Sequence, residues 1–204
     1  MNAQAPVLGR IVVASGNKGK LAEFERLLGP AGIEFIPQAA LGVDDIEETG
    51  LTFVENALLK ARHAARVTGL PALADDSGLC VDALGGAPGL YSARYAGRHG
   101  DAAANIARLL EELREVEDPG RGAHFHCTLA LLRHADDPRP LLAQGEWHGR
   151  ILHAPRGSGG FGYDPVFLDP VSGMTAAELE PHLKSETSHR GKALARLRAA
   201  WPGA

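Results

Sequence analysis

The sequence predicts an α/β fold in one domain spanning residues 1–204. Three observations predict it. Short β-branched apolar runs alternate with stretches whose apolar residues recur at helical spacing, the pattern of strands and helices packed in layers. No repeat or shift of composition marks a linker, and 204 residues suit one domain with two lobes around one core. Hydrophobic residues at 45% and charged residues at 23% supply a core and exclude a disordered chain.

The elements follow in chain order. Arg10 to Ala14, read Arg-Ile-Val-Val-Ala, is a buried strand broken by Ser15-Gly16-Asn17. Lys18 to Gly29 places Leu21, Phe24, Leu27 and Leu28 at helical spacing and stops at Gly29-Pro30. Glu34 to Pro37 is a short strand, and Leu41 to Gly50 an acidic loop. Thr52 to Thr68 is an amphipathic helix with an apolar stripe of Val54, Leu58, Ala61 and Ala65. Thr52 followed three residues later by Glu55 is a capping-box signature, and Gly69 with Pro71 ends the helix. Pro71 to Ala74 reads as a strand entering a polar turn at Asp75-Asp76-Ser77-Gly78, with a further strand at Leu79 to Leu84. Gly85 to Gly100 is a glycine- and aromatic-rich loop, and Ala102 to Val116 is helical through Ile106, Leu109, Leu110 and Leu113. His124 to Leu132 and Leu141 to Ile151 predict an antiparallel pair. Val166 to Leu168 is a strand, and Ser188 to Ala200 a basic helix with Leu194 and Leu197 inward.

Composition narrows the function. A formal net charge of -4 argues against a sheath of unspecific nucleic-acid contacts, which needs an excess of Lys and Arg, but leaves room for a basic corner holding one small anion. Cys80 and Cys127 stand far apart, with neither zinc spacing nor a disulfide framework, and read as reduced thiols. The first ten residues lack the pattern of an export signal, and no apolar run reaches the roughly 18 residues of a membrane span. The expected compartment is the cytoplasm, with no membrane partner.

Some motif matches fail on context. Gly157 to Gly162 fits GxGxxG, but a Tyr-Asp-Pro turn and a strand follow it where a dinucleotide fingerprint needs a helix. Ser15 to Lys20 is not a P-loop, because Leu21 follows Lys20 where Ser or Thr is required. His124-x-His126 puts two imidazoles on one strand face, but with no third ligand nearby in sequence the pair reads as structural.

Three clusters remain. At Ser15 to Lys20 a strand gives way to small polar residues and a helix start carrying two lysines, which offers backbone donors and positive charge to an anion. Glu47, Glu48, Asp75 and Asp76 form an acidic set whose mutual repulsion a hard divalent cation relieves. Asp75 and Asp76, adjacent in a strand, point to opposite faces and so take different roles. Phe161-Gly162-Tyr163-Asp164 with Lys184, Ser188, His189 and Arg190 combines an aromatic platform with hydrogen-bond donors. Together the clusters fit a magnesium-nucleotide substrate.

These residues carry a resemblance. The chain resembles the Ham1/RdgB-like inosine/xanthosine triphosphate pyrophosphatases from about Ile11 to Arg198. The matching segments, in order, are Ser15 to Lys20, Glu48 to Ala57, Ala74 to Leu79, Leu84 to Gly89, Gly159 to Pro165 and Ser188 to Gly191. The resemblance implies a two-lobed fold with an elongated mixed sheet, flanking helices and an inter-lobe substrate cleft, and also a homodimer. It implies Mg2+-dependent cleavage of ITP, dITP and XTP to a monophosphate and pyrophosphate, which clears deaminated purines before polymerases use them.

Carried onto this chain, the resemblance gives Ser15, Gly16, Asn17, Lys18, Gly19 and Lys20 to the triphosphate. Asp76 is then the general base and, with Glu48, a metal ligand. Ser77 touches substrate, Phe161, Gly162, Tyr163 and Asp164 hold base and sugar, and Lys184, His189 and Arg190 read the base. Asp75, Glu47 and Lys60 support them. The sequence leaves open which acid of each adjacent pair binds metal. The competing readings are a phosphatase releasing orthophosphate, a Maf-type pyrophosphatase acting on pyrimidines, and a nucleotide-binding module without turnover.

Overall fold

Ile11, Val12 and Val13 have no exposed surface, which fits an uninterrupted apolar run in a sheet interior. The computed structural model, which describes residues 9–17, 19–21, 23–24 and 33–201, builds these strands around that run: β1 (Arg10–Ala14), β2 (Glu34–Pro37), β3 (Ala72–Val81), β4 (Gly122–Leu132), β5 (Leu141–Ile151) and β6 (Phe167–Leu168). The helices are α1 (Phe53–Thr68), α2 (Ala102–Glu112), α3 (Pro181–Thr187) and α4 (His189–Ala200). The strands form a mixed sheet ordered β2-β1-β3-β4-β5-β6. β2 and β3 both run parallel to β1, and β6 runs antiparallel to β5. Parallel strands of one sheet need a long crossover between them, and α1 lies in the one joining β2 to β3, which flank β1.

The chain divides into two units. The first takes Met1–Asp76, Thr128–Gln144 and Arg190–Ala204; the second takes Ser77–Cys127 and Gly145–His189. In the first, α1 lays Ala57, Ala61, Ala64 and Ala65 on Val12, Ala14, Ala72, Ala74, Ala130 and Leu132. The buried stripe is therefore turned from the predicted one: Ala57 and Ala64 are fully covered, while Val54 and Leu58 are only partly so. Methyl-sized side chains let helix and sheet approach closely, and larger ones are left to the flanks. In the second unit, Leu109 and Leu113 pack into a cluster with Phe125, Trp147 and Phe167. The ring centroids of Phe125 and Phe167 lie 4.6 Å apart, and those of Trp147 and Phe167 5.0 Å. Arg121 is buried there, and its guanidinium donates to the carbonyls of Leu113, Val116, Ile151 and Leu152.

The structure departs from expectation at Asp75-Asp76-Ser77-Gly78. This segment is not a turn but the middle of β3, which runs unbroken through Val81. Two adjacent aspartates continue a buried strand because each is met by cations, as described below. Asp82–Leu84 is a single helical turn rather than strand, and Gly89–Arg94 adds another within the loop expected at 85–100. The helix expected from Lys18 is present at residues 19–21, 23 and 24, and the rest of that prediction lies outside the described residues. α3 is an element that the sequence reading left unassigned. Cys127 is buried, Cys80 is partly covered, and both are free thiols. Among the described residues no helix is long and apolar enough to cross a membrane.

Candidate active site

In the first unit the site is built around β3. Glu48 reaches it from the segment leading into α1. That segment is fixed by its own sequence: the Thr52 hydroxyl accepts the Glu55 N–H at 3.2 Å, while the Glu55 carboxylate accepts the Leu51 N–H at 2.7 Å. The buried Asn56 side chain accepts the Gly50 N–H at 2.8 Å. A Cβ at Gly50 would stand 2.6 Å from both Asn56 Oδ1 and Glu55 Cβ, so only glycine lets the chain fold this tightly beside Glu48.

Lys60, two turns into α1, donates to Glu48 Oε1 at 2.6 Å and to Asp76 Oδ1 at 2.8 Å. One ammonium thus ties together the two carboxylates that the sequence nominated. Burial pushes the Asp76 carboxyl above its ordinary value, against the opposing pull of Lys60; Glu48 adds to the rise and Lys20 lowers it. Burial alone would depress Lys60, but the charges of Asp76 and Glu48 hold it above its ordinary value. Asp76 Oδ2 is buried and has no hydrogen-bond partner among the described residues. A buried acceptor left so is costly. A hard cation taking oxygen ligands fits that atom and the neighbouring Glu48.

Asp75 is engaged separately. Lys20 pairs with its Oδ1, and Arg190 Nε donates to its Oδ2 at 2.7 Å. Arg190 also donates through Nη1 to Glu23 at 2.5 Å. The two aspartates therefore have different partners, as strand alternation predicts. The Ser15–Lys20 turn differs from the open cradle of N–H donors expected from sequence. Asn17 Oδ1 accepts the N–H groups of Gly19 at 2.9 Å and Lys20 at 3.2 Å, and Ser15 Oγ accepts that of Asn17 at 3.2 Å. Asn17 caps the helix that follows, and these donors are engaged by the chain's own oxygens. Lys18 lies outside the described residues. Glu47 is exposed.

The second unit holds the other group. Asp164 Oδ2 accepts the Phe161 N–H at 2.6 Å and pairs with Lys184, whose ammonium sits 5.0 Å from the Phe161 ring centroid. Gly160 has a left-handed φ of 71°, and a Cβ there would stand 2.0 Å from Asp164 Oδ2, so the turn closes on the carboxylate only with glycine. Phe161 is 40% exposed as a residue, whereas Tyr163 is buried and donates its hydroxyl to the Ser92 carbonyl at 2.9 Å. Burial, chiefly, raises the Tyr163 phenol. Of the two aromatics, only Phe161 presents a face. His189 stacks on Phe125, centroids 4.9 Å apart and planes at 14°. Ser77 continues β3, partly covered. The structure thus gathers Phe161, Asp164 and Lys184 in one unit, and places Arg190 with Asp75, Lys20 and Glu23 in the other.

Comparison with known proteins decides the family. The Ham1 family profile matches residues 11–200. The chain belongs to the Ham1 family. Among Ham1 relatives, a protein of Xanthomonas campestris named dITP/XTP pyrophosphatase is 63% identical over 187 residues, 92% of this chain and 94% of the relative. One of Shigella flexneri with the same name is 59% identical over 91% of this chain and 94% of its own. The structure of a HAM1 protein from Coxiella burnetii, 54% identical, superposes with a TM-score of 0.88 over 94% of this chain and 97% of that one. The Ham1 protein of Staphylococcus aureus, 39% identical, gives 0.83 over 94% and 97%.

Within this Ham1 chain, two contributors escaped the sequence reading. Glu23 lies three residues after Lys20, one helical turn on; that spacing was the available signal. Asn56 was legible only as part of a motif, not as the clamp on Gly50.

Proposed function

We propose that this protein is a Mg2+-dependent pyrophosphatase that cleaves dITP, ITP and XTP to the nucleoside monophosphate and pyrophosphate, removing deaminated purine nucleotides from the pool. The observation that carries this reading is the Asp76 carboxylate: buried, tied to Glu48 through Lys60, and with one oxygen that has no hydrogen-bond partner among the described residues. The names of its Ham1 relatives point to the same reaction.

In this reading Glu48 and Asp76 hold Mg2+, which supplies positive charge against the phosphates. Lys20, with the Ser15–Lys20 turn, draws the triphosphate, and Ser77 touches it. A water molecule is held by Asp76. The α–β phosphoanhydride bond breaks as the water oxygen bonds to phosphorus and its proton passes to the Asp76 carboxylate. A carboxyl raised by burial is the stronger base for that task. Lys60 steadies Asp76 and Glu48, and Asp75 holds Lys20 and Arg190.

For the base, Phe161 offers a stacking face, Asp164 and Lys184 fix its approach, and Gly162 and Tyr163 shape the turn. Lys184, His189 and Arg190 serve as donors. Hypoxanthine and xanthine present a keto acceptor at the six-position where adenine presents an amino donor. Such donors pair with the first and are left unpaired by the second, which discriminates by roughly 10⁴-fold. The proposed setting is a cytoplasmic homodimer.

The test is product identity. Purified protein with Mg2+ is incubated with dITP, XTP, ATP and pyrimidine triphosphates, and released pyrophosphate and orthophosphate are measured separately. Pyrophosphate from dITP and XTP is expected. Orthophosphate would point to a phosphatase, pyrimidine turnover to a Maf-type enzyme, and binding without products to a regulatory module.

A further inference from the structure

We propose that Ser92 is a positioning residue for the turn that presents Phe161 and Asp164: its hydroxyl fixes the Gly89–Arg94 turn to β3, and its carbonyl receives Tyr163. This rests on the function proposed above, in which Phe161 and Asp164 hold the base and Ser77 touches the substrate. The edge of β3 creates the need. β1 accompanies β3 only as far as Ala74, and further along the returning chain borders the strand, with Cys80 opposite Pro88. Gly78 lets the two backbones approach: a Cβ there would stand 2.2 Å from the Gly89 carbonyl oxygen and 2.8 Å from Ser92 Oγ. Backbone donors on such an edge still need partners. Ser92 Oγ accepts the Leu79 N–H at 2.9 Å and donates to the Gly89 carbonyl at 2.6 Å, so one hydroxyl joins strand and turn.

Tyr163 carries that anchorage to the base-holding turn. It is buried in a cluster with Leu79, Tyr95 and Phe167, and its hydroxyl donates to the Ser92 carbonyl at 2.9 Å. Its own carbonyl accepts the N–H groups of Val166 at 3.0 Å and Phe167 at 3.1 Å. Held at both ends, Tyr163 restricts Asp164 beside it and Phe161 two residues before it. Ser92 thus acts through Tyr163 and not by touching the substrate. α2 holds the same segment separately: Asn105 Oδ1 accepts the Ala96 N–H at 2.7 Å, and Asn105 Nδ2 donates to the Ala93 carbonyl at 3.3 Å. Loss of the Ser92 hydroxyl therefore loosens the segment without unfolding it.

Titration calorimetry of the full chain tests this, with dITP and with inorganic tripolyphosphate as a base-free probe, in EDTA to suppress turnover. Ser92→Ala should bind dITP about three- to tenfold more weakly, the scale of one lost hydrogen bond, and tripolyphosphate within about twofold of the parent. Tyr163→Phe, which keeps the ring and removes the hydroxyl, should show the same split. The double variant should lose less than the product of the two single losses, because both act along one line of contacts. With Mg2+ present, pyrophosphate release from dITP by Ser92→Ala should show a raised KM with kcat within about twofold. If Ser92→Ala binds dITP as the parent does, or loses both ligands alike, the positioning role is overturned and the proposed function stands. If the parent itself binds dITP no more tightly than tripolyphosphate, the base-holding turn is overturned and this role with it.

Discussion

Two aspartates of the first unit, Asp76 and Asp137, are both buried and both paired with a cation, yet they are pushed in opposite directions. Asp137 sits between β4 and β5. It accepts the Arg133 guanidinium at 2.8 Å through Nε and the N–H groups of Arg133 at 3.0 Å and Arg139 at 2.9 Å. With its lone pairs so engaged, its carboxyl is held well below the usual range, chiefly by the Arg133 side chain. Asp76 has Lys60 and one oxygen without a hydrogen-bond partner among the described residues, and burial lifts it. The comparison teaches that hydrogen bonds from cations and backbone hold a buried carboxyl low, while burial with fewer partners lifts it.

The sharpest way to break that comparison is Asp76→Asn. The amide cannot accept the proton from water, so turnover of dITP should fall by roughly 10²–10⁴-fold, with the melting temperature within a few degrees of the parent. Near-normal pyrophosphate release would remove Asp76 from its role. Next comes Lys60→Met, which leaves Glu48 and Asp76 without their shared cation. Breaking such a buried pair costs about 3–5 kcal/mol, read as a lowered melting temperature. If the acids hold a cation, Mg2+ should raise the melting temperature of this variant more than that of the parent.

Asp137→Asn should lose about 1.5–3 kcal/mol, as expected for hydrogen bonds to a charged group, with dITP turnover unchanged. The pH dependence has a definite sign. Because the folded-state value of Asp137 is depressed, its contribution is fully present above the unfolded-state value near pH 4. It fades as pH falls toward the folded-state value. Denaturation followed across that acid range should show the parent losing stability more steeply than the variant. The smallest effect belongs to Phe161→Ala. Loss of a stacking face worth about 0.5–1.5 kcal/mol should raise KM roughly two- to tenfold, with kcat within twofold in a steady-state assay.

Much of this was legible in the chain. The α/β class followed from alternating patterns, and β2 and β5 have the bounds their residues predicted. The Thr52–Glu55 cap is present because both partners lie within one turn. Asp75 and Asp76 separate in role because strand geometry alternates. What failed did so for want of distant partners. Asp75-Asp76-Ser77-Gly78 resembles a turn when read locally; it is strand because Lys20, Lys60 and Arg190, remote in sequence, neutralise the two acids. The contacts of Glu146 with His126 and His148 could not be read locally, because they join neighbouring strands.

The sequence by itself determined the elements, the family resemblance and the inventory of acids, lysines and aromatics, because period, capping and motif spacing are local properties of the chain. Only the tertiary structure decided how those groups are paired. It gave Lys60 two carboxylates, turned Tyr163 inward to Ser92, and engaged the N–H groups of Gly19 and Lys20 with the Asn17 side chain. Burial and long-range charge set those outcomes, and both depend on which segments the fold brings together.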